Sequence, residues 1–178
     1  MRQIKFITAL IAITALVLTS CDDGVTYIDN PTSQAIELTI DGKKPITVAA
    51  KEFKRMDKSL SQGKHSMQIE NGEAIEFNLD KNHVMLNPTL SIYVTVVQEY
   101  GTGFQSSAND TTIVIDDVEY YGPFIAVSNA PFVYTGNINL MVDKPIPDQI
   151  ETSKTGNVAL KKLFRKDEFI EYYEEEYR

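Results

Sequence analysis

Three short runs hold residue types that do nucleophilic chemistry: Ser61-Gln62-Gly63-Lys64, Ser107-Ala108-Asn109 and Lys154-Thr155-Gly156. A serine attacks when a neighbouring base takes its proton, and a lysine one helical turn on can do this. Gly63 stands between Ser61 and Lys64 in a stretch that reads as a β-turn, so the lysine is not returned to the serine. The two histidines, His65 and His83, have no acidic or cysteine neighbours at metal-ligand spacing and are expected at strand edges. Asp116, Asp117 and Glu119, with Asn109 and Asp110, offer oxygen ligands for calcium. They lack regular ligand spacing and read instead as a solvated hairpin tip. Asn109-Asp110-Thr111 matches a glycosylation sequon, which reads as a chance match of three common residues. No nucleophile elbow, phosphate loop or paired-cysteine motif is present, so neither an enzyme nor a cofactor is expected. The aromatic stretch is more promising. Gly122-Pro123 and Ala130-Pro131 place rings on turns, which makes Tyr120, Tyr121, Phe124, Phe132 and Tyr134 candidates for contact with a partner.

The order of the three serine and lysine runs resembles that of the penicillin-recognising serine enzymes. Their fold needs a sizeable helical domain between the first two motifs, whereas residues 65 to 106 read as strands, and the resemblance is set aside.

The elements that must position these residues are mostly strands. In 35–40, Ile36, Leu38 and Ile40 alternate with polar neighbours, the pattern of a strand with one buried face. Asp41-Gly42 follows, a dipeptide that accepts positive φ in a tight hairpin, and 46–48 is the returning strand. The same logic recurs in 66–70, the turn at Asn71-Gly72, and 74–79. Further strands are expected at 92–97 and 112–115, with fainter ones at 124–127, 132–134 and 138–142. Strands at such intervals predict a mainly β fold, an antiparallel sandwich or barrel-like domain over 25–147. Asn-Pro-Thr occurs at 30–32 and again at 87–89, which reads as two ordinary turns rather than a duplication. Residues 148–178 are expected to form a polar connector and a short C-terminal helix. That helix starts near Asp167, with Phe169, Ile170, Tyr173 and Tyr177 on one face and a basic cluster, Lys161, Lys162, Arg165 and Lys166, before it. Glutamates at its C-terminal end oppose the helix dipole.

Residues 36–79 resemble the PEGA-type modules of bacterial surface proteins. The resembling residues are Ile40-Asp41-Gly42-Lys43 and Leu60-Ser61-Gln62-Gly63-Lys64-His65, although the proline-glycine step that names the family is missing. The resemblance implies a small β-sandwich with a structural or adhesive role.

The N-terminus has its own pattern. Arg2 and Lys5 precede an uncharged, largely apolar run from Phe6 to Leu18, which is shorter than the about 20 residues a membrane span needs. Leu18-Thr19-Ser20-Cys21 resembles the lipobox of bacterial lipoproteins. The resemblance implies removal of residues 1–20 and lipidation of Cys21, the chain's single cysteine. Several acyl chains anchor stably where one is marginal. The first strand is expected near Val25, which leaves residues 21–24 as a tether of at most roughly 15 Å. The domain is then held against a membrane of the bacterial cell envelope. Aspartates after the lipidated cysteine resemble an inner-membrane retention signal in enteric bacteria and a surface-export signal in Bacteroidetes-type bacteria, so the leaflet stays open.

Charge narrows the partners. Removal of residues 1–20 takes away two basic residues and no acid, moving the net charge from −8 to −10. That argues against nucleic acid and against adsorption to anionic lipid through the domain's own surface, while it permits a basic protein partner. The expectation is a non-enzymatic, lipid-anchored β-domain that binds an envelope protein or is a structural component. The alternative is an immunity or inhibitor lipoprotein that neutralises a basic toxin or hydrolase.

Overall fold

Turn chemistry sets the first hairpin. Asp41 (φ 51°) and Gly42 (φ 64°) are both left-handed, and Lys43 N–H donates to Ile40 O at 3.0 Å. This joins β2 (Ile36–Ile40) to β3 (Ile46–Val48). The computed structural model describes residues 24–101, 110–150 and 156–177. Cys21, the rest of the leader, Ser107-Ala108-Asn109 and Lys154-Thr155 lie outside the described residues.

The chain is mainly β, with several antiparallel sheets in a sandwich-like arrangement and one short C-terminal helix. Before the first hairpin comes β1 (Val25–Asp29). After it come β4 (Phe53–Arg55), β5 (Gly63–Ile69) and β6 (Ile75–Leu79). The hairpin between β5 and β6 forms where expected, but the left-handed residue is Glu70 (φ 49°), with Gly72 N–H donating to Ile69 O. The second half holds β7 (His83–Leu86), β8 (Tyr93–Tyr100), β9 (Thr111–Ile115) and β10 (Val118–Gly122). It continues with β11 (Phe124–Ser128), β12 (Phe132–Tyr134), β13 (Val158–Arg165) and α1 (Lys166–Tyr177).

Two expectations need correction. Residues 138–142 are not a strand; they turn, with one bridge between Leu140 and Lys162. The basic cluster before the helix is not a solvated connector either, because Lys161, Lys162 and Arg165 belong to β13, which pairs with β8 along eight residues. Phe164 and Lys162 face α1 while Leu163 and Arg165 face the opposite way, so the end of β13 is buried on both sides.

The halves repeat one another. In the first, β1 pairs with β4, and β2 lies between β3 and β5. In the second, β7 pairs with β12, and β8 lies between β11 and β13. Registers correspond: Phe53 opposes Asp29 and Phe132 opposes Leu86, while Ile69 opposes Leu38 and Leu163 opposes Thr95. The two Asn-Pro-Thr corners are therefore more than turns. Asn30 N–H donates to Glu52 O, and its amide Nδ2 donates to Gln34 O at 2.7 Å and Ala49 O at 2.8 Å. Asn87 N–H donates to Pro131 O, and its Nδ2 donates to Ser91 O at 2.8 Å and Ala130 O at 3.0 Å. Each fully buried asparagine fixes the chain as it leaves one sheet for another.

The repeats meet through a parallel pairing of β1 with β7, which local alternation does not foretell. The resulting central sheet, β12-β7-β1-β4, is covered on both faces. Ile28, Val84 and Leu86 pack on the sheet β3-β2-β5-β6. Tyr27, Phe53 and Met85 pack on β11-β8-β13. Beyond that third sheet lie α1 and the β9–β10 hairpin, around Phe164, Phe169, Tyr120 and Phe124. The second repeat thus carries additions the first lacks: the inserted hairpin, the excursion before β13, and the helix.

Candidate functional site

The additions of the second repeat build a cleft beside α1. Its floor is Lys162 and Phe164 on β13, its walls are Tyr100 on β8 and Tyr172 on α1, and the excursion through Asp143–Asp148 closes it. The volume is about 720 Å³. Asp143, Asp148, Glu168 and Glu176 stand around it. Tyr100 donates its hydroxyl to Pro147 O at 2.5 Å, and Tyr172 donates to Gln98 Oε1 at 3.2 Å, so both rings are held from behind. Phe164 stacks on Tyr172 with centroids 4.8 Å apart.

Lys162 is buried, and its ammonium donates to Met141 O at 2.8 Å and Val142 O at 3.1 Å while lying 4.9 Å over the Phe164 ring. Burial pushes its pKa down to about 8, against the opposing pull of Glu168 and Asp143. Burial likewise pushes the Tyr172 hydroxyl well above its ordinary value. The arrangement ties the excursion down and leaves an acidic, aromatic opening suited to a cationic side chain.

A second polar group is sealed inside. Arg165 grips fully buried Asp29 bidentately, Nη2 to Oδ1 at 2.6 Å and Nε to Oδ2 at 3.0 Å, while Tyr93 donates its hydroxyl to Asp29 Oδ2 at 2.6 Å. Arg165 Nη1 also reaches Glu168 Oε1 at 2.9 Å. Burial lowers the arginine's proton affinity, but the bonds it donates to Asp29 and the attraction of that carboxylate outweigh this and hold it firmly charged. Burial and the Asp29 carboxylate keep Tyr93 protonated. Among the described residues no buried side-chain nitrogen or oxygen is left without a partner, and this cluster cross-braces β1, β8, β13 and α1 and serves architecture.

The five candidate aromatic residues do not form one surface. Tyr120 and Phe124 are buried under α1, edge-on to Phe169 at 5.4 and 5.2 Å. Tyr121 points the other way from Tyr120 and is 60 % exposed. Phe132 and Tyr134 belong to the first repeat's core region, with Phe132 against Phe77 and Tyr134 hydrogen-bonded to Asp80. The stretch read as turns around Gly122 is strand β10 followed directly by β11, which alternates rings inward and outward. Tyr121 shares the outer hairpin face with exposed Val114, while Val118, near the tip, is exposed on the face it shares with Ile115 and Tyr120.

The other chemistry-bearing residues have structural employment. His65 Nδ1 lies 3.0 Å from Asp41 Oδ2 and Nε2 lies 2.8 Å from Ser61 O, while Ser66 N–H donates to Asp41 Oδ1. Burial raises the Asp41 carboxyl's pKa, and the bonds from His65 and Ser66 more than offset this. That unit locks the first hairpin turn to β5, and it engages the backbone carbonyl of Ser61 and not its hydroxyl. Lys64 is exposed on β5, opposite Asn78. Asp116 (φ 50°) and Asp117 (φ 64°) form the tip of the β9–β10 hairpin, and Lys166 pairs with Asp116 at 2.8 Å. Among the described residues no group of three or more His, Cys, Asp or Glu is arranged to hold a metal.

No family model matches the chain, and no curated protein or solved structure matches it significantly.

Proposed function

We propose that this chain is a lipid-anchored cell-envelope protein whose non-enzymatic β-domain is held close to the membrane and binds another envelope protein. The observation that carries the binding role is the outer face of the β9–β10 hairpin, where Val114 (58 % exposed, opposite Glu119) and Tyr121 (60 % exposed, opposite Thr112) lie diagonally across one face. Three of the seven exposed large apolar side chains among the described residues, Val114, Val118 and Tyr121, belong to this hairpin, and such clustering marks a contact surface. The hairpin is an insertion in a duplicated framework, so it is not needed to complete the repeat. The anchoring role draws on the lipobox and on the start of β1. Ser59 donates its hydroxyl to Gly24 O at 2.9 Å and Val25 N–H donates to Asn82 O, which pins the chain three residues after Cys21.

The test is crosslinking in cells followed by mass spectrometry. Wild type is expected to yield a stoichiometric protein partner that is lost on Val114→Lys with Tyr121→Ser. Cys21→Ser should release the protein from the membrane fraction. A partner set unchanged by the hairpin substitutions sinks the binding role.

The cleft beside α1 favours a second reading, an inhibitor of a basic toxin or hydrolase, because its carboxylates and tyrosines suit a lysine or arginine side chain. In that case Asp148→Lys with Glu176→Lys, and not the hairpin substitutions, should release the partner.

A further inference from the structure

We infer that the groove beside Gly24 is a seat for anionic phospholipid headgroups, so that the domain rests on the membrane by a defined face. The inference rests on the lipid-anchor reading and deepens it. The groove has a volume of about 540 Å³ and is lined by Ile125, Val133, Tyr134 and Ile138, with Lys81 and Lys161 beside them. Ile125 is 50 % exposed, and the Lys81 ammonium lies 5.2 Å over the Tyr134 ring.

Three observations converge. Position comes first: Asn82, which accepts from Val25 N–H and crowds Gly24, itself lines the groove. A lipid on Cys21, three residues before Gly24, therefore enters the bilayer within roughly 15 Å of it. Charge is second. In a chain of net charge −8, this groove is lined by two lysines and by no carboxylate. The adjacent Asp80 accepts from the Tyr134 hydroxyl through its carboxylate, and its backbone N–H donates to the same hydroxyl oxygen at 3.1 Å. Net charge predicts repulsion from an anionic surface, but the acids lie elsewhere, around the cleft and along α1. Third is chemistry: a tyrosine, aliphatic side chains and lysines are the residue types that settle at a membrane interface, the rings at headgroup depth and the ammonium groups on phosphates. Each lysine is worth about fivefold in attraction to an anionic surface.

The chain contains no tryptophan, so a single introduced one reports cleanly. Lipidated protein beginning at Cys21 and carrying Ile125→Trp is reconstituted into vesicles of phosphatidylcholine, with or without phosphatidylglycerol, whose acyl chains are brominated. Leu90→Trp, beyond the opposite end of β7, is the far-side reporter. The expected result is quenching at position 125 and not at 90, strengthened by phosphatidylglycerol and reduced about fivefold per charge on Lys81→Gln and Lys161→Gln. Equal quenching at both positions, none at 125, or quenching indifferent to phosphatidylglycerol and to the lysines overturns the proposal. So does release of the quench by inorganic phosphate, which would assign the groove to a soluble anion. The mass of the Cys21 peptide reads the anchor separately: an unlipidated cysteine defeats the anchor reading, whereas a lipidated protein without selective quenching defeats only the groove.

Discussion

The central sheet has two faces of opposite character. Toward the first repeat's sheet it presents Ile28, Val84 and Leu86 to Ile36, Leu38, Ile40, Met67 and Phe77, an apolar contact throughout. Toward the second repeat's sheet it presents Asp29 to Arg165 and Tyr93, surrounded by Met85 and Leu163. The repeats supply the same strands in the same registers, and the position equivalent to Asp29 in the second is Leu86. Apolar packing is non-directional and tolerates small rearrangements. A bidentate ion pair whose carboxylate also accepts from a tyrosine hydroxyl is bound to one geometry. One duplicated framework has thus been held by adhesion on one side and by register on the other, and the side held by register bears the cleft, the hairpin and the helix.

The comparison breaks most visibly at the ion pair. Arg165→Met leaves the Asp29 carboxylate buried without its partner, and a loss of about 3–5 kcal/mol is expected in chemical denaturation. Adding Asp29→Leu and Tyr93→Phe, which copies the apolar chemistry of Leu86, should restore most of that loss. If the triple variant stays as unstable as the single one, the two faces are not interchangeable in the way the repeat implies.

On the apolar face the corresponding change is Leu86→Ala, with an expected loss of about 3 kcal/mol from transfer and cavity terms together. No second substitution in the opposing sheet should rescue it fully, because an enlarged neighbour must fit a cavity shaped by several side chains. Rescue by a single larger residue at Leu38 would show a softer interface than the burial suggests.

Much of this architecture is legible in the sequence, and the remainder fails for identifiable reasons. The first repeat reads cleanly because each strand buries one face, so Ile36, Leu38 and Ile40 alternate, and Asp41-Gly42 has the turn conformation its residue types favour. Strand β13 is hidden because it is buried on both faces and because Lys162 and Arg165 look like solvent residues until their partners, two carbonyls and Asp29, are in place. Those partners lie up to 136 residues away in sequence, beyond the reach of any local pattern. Tyr120-Tyr121-Gly122-Pro123-Phe124 is readable as aromatic, but not which rings face inward, since that follows from the helix that covers them. The cleft and the groove draw on four or more segments each and have no local signature, although the paired Asn-Pro-Thr corners were visible all along.

Those corners provide an internal control. Asn30→Ala and Asn87→Ala each strip several carbonyls of a buried donor, and each should destabilise by about 2 kcal/mol. The repeat requires the two losses to match in size. A large loss at one and a negligible loss at the other would mean that the corners share a sequence but not a role.

The smallest expected effect separates the repeats by pH. At the position of Lys162 the first repeat has Gln68, which opposes Thr39 as Lys162 opposes Val96, and no titration. Folded Lys162 gives up its proton near pH 8, while the unfolded chain holds it to the ordinary value of 10.5. Between these limits the unfolded state binds more protons, so raising the pH favours folding. Stability should therefore rise by about 1 kcal/mol from pH 7.5 to 9 relative to Lys162→Met, a window that stays below the range in which unfolded tyrosines ionise. The comparison must be differential, because other groups titrate in both proteins alike. A flat difference across that window would place the Lys162 ammonium in contact with water. The clamp it forms on Met141 and Val142 would then open without any change in its charge.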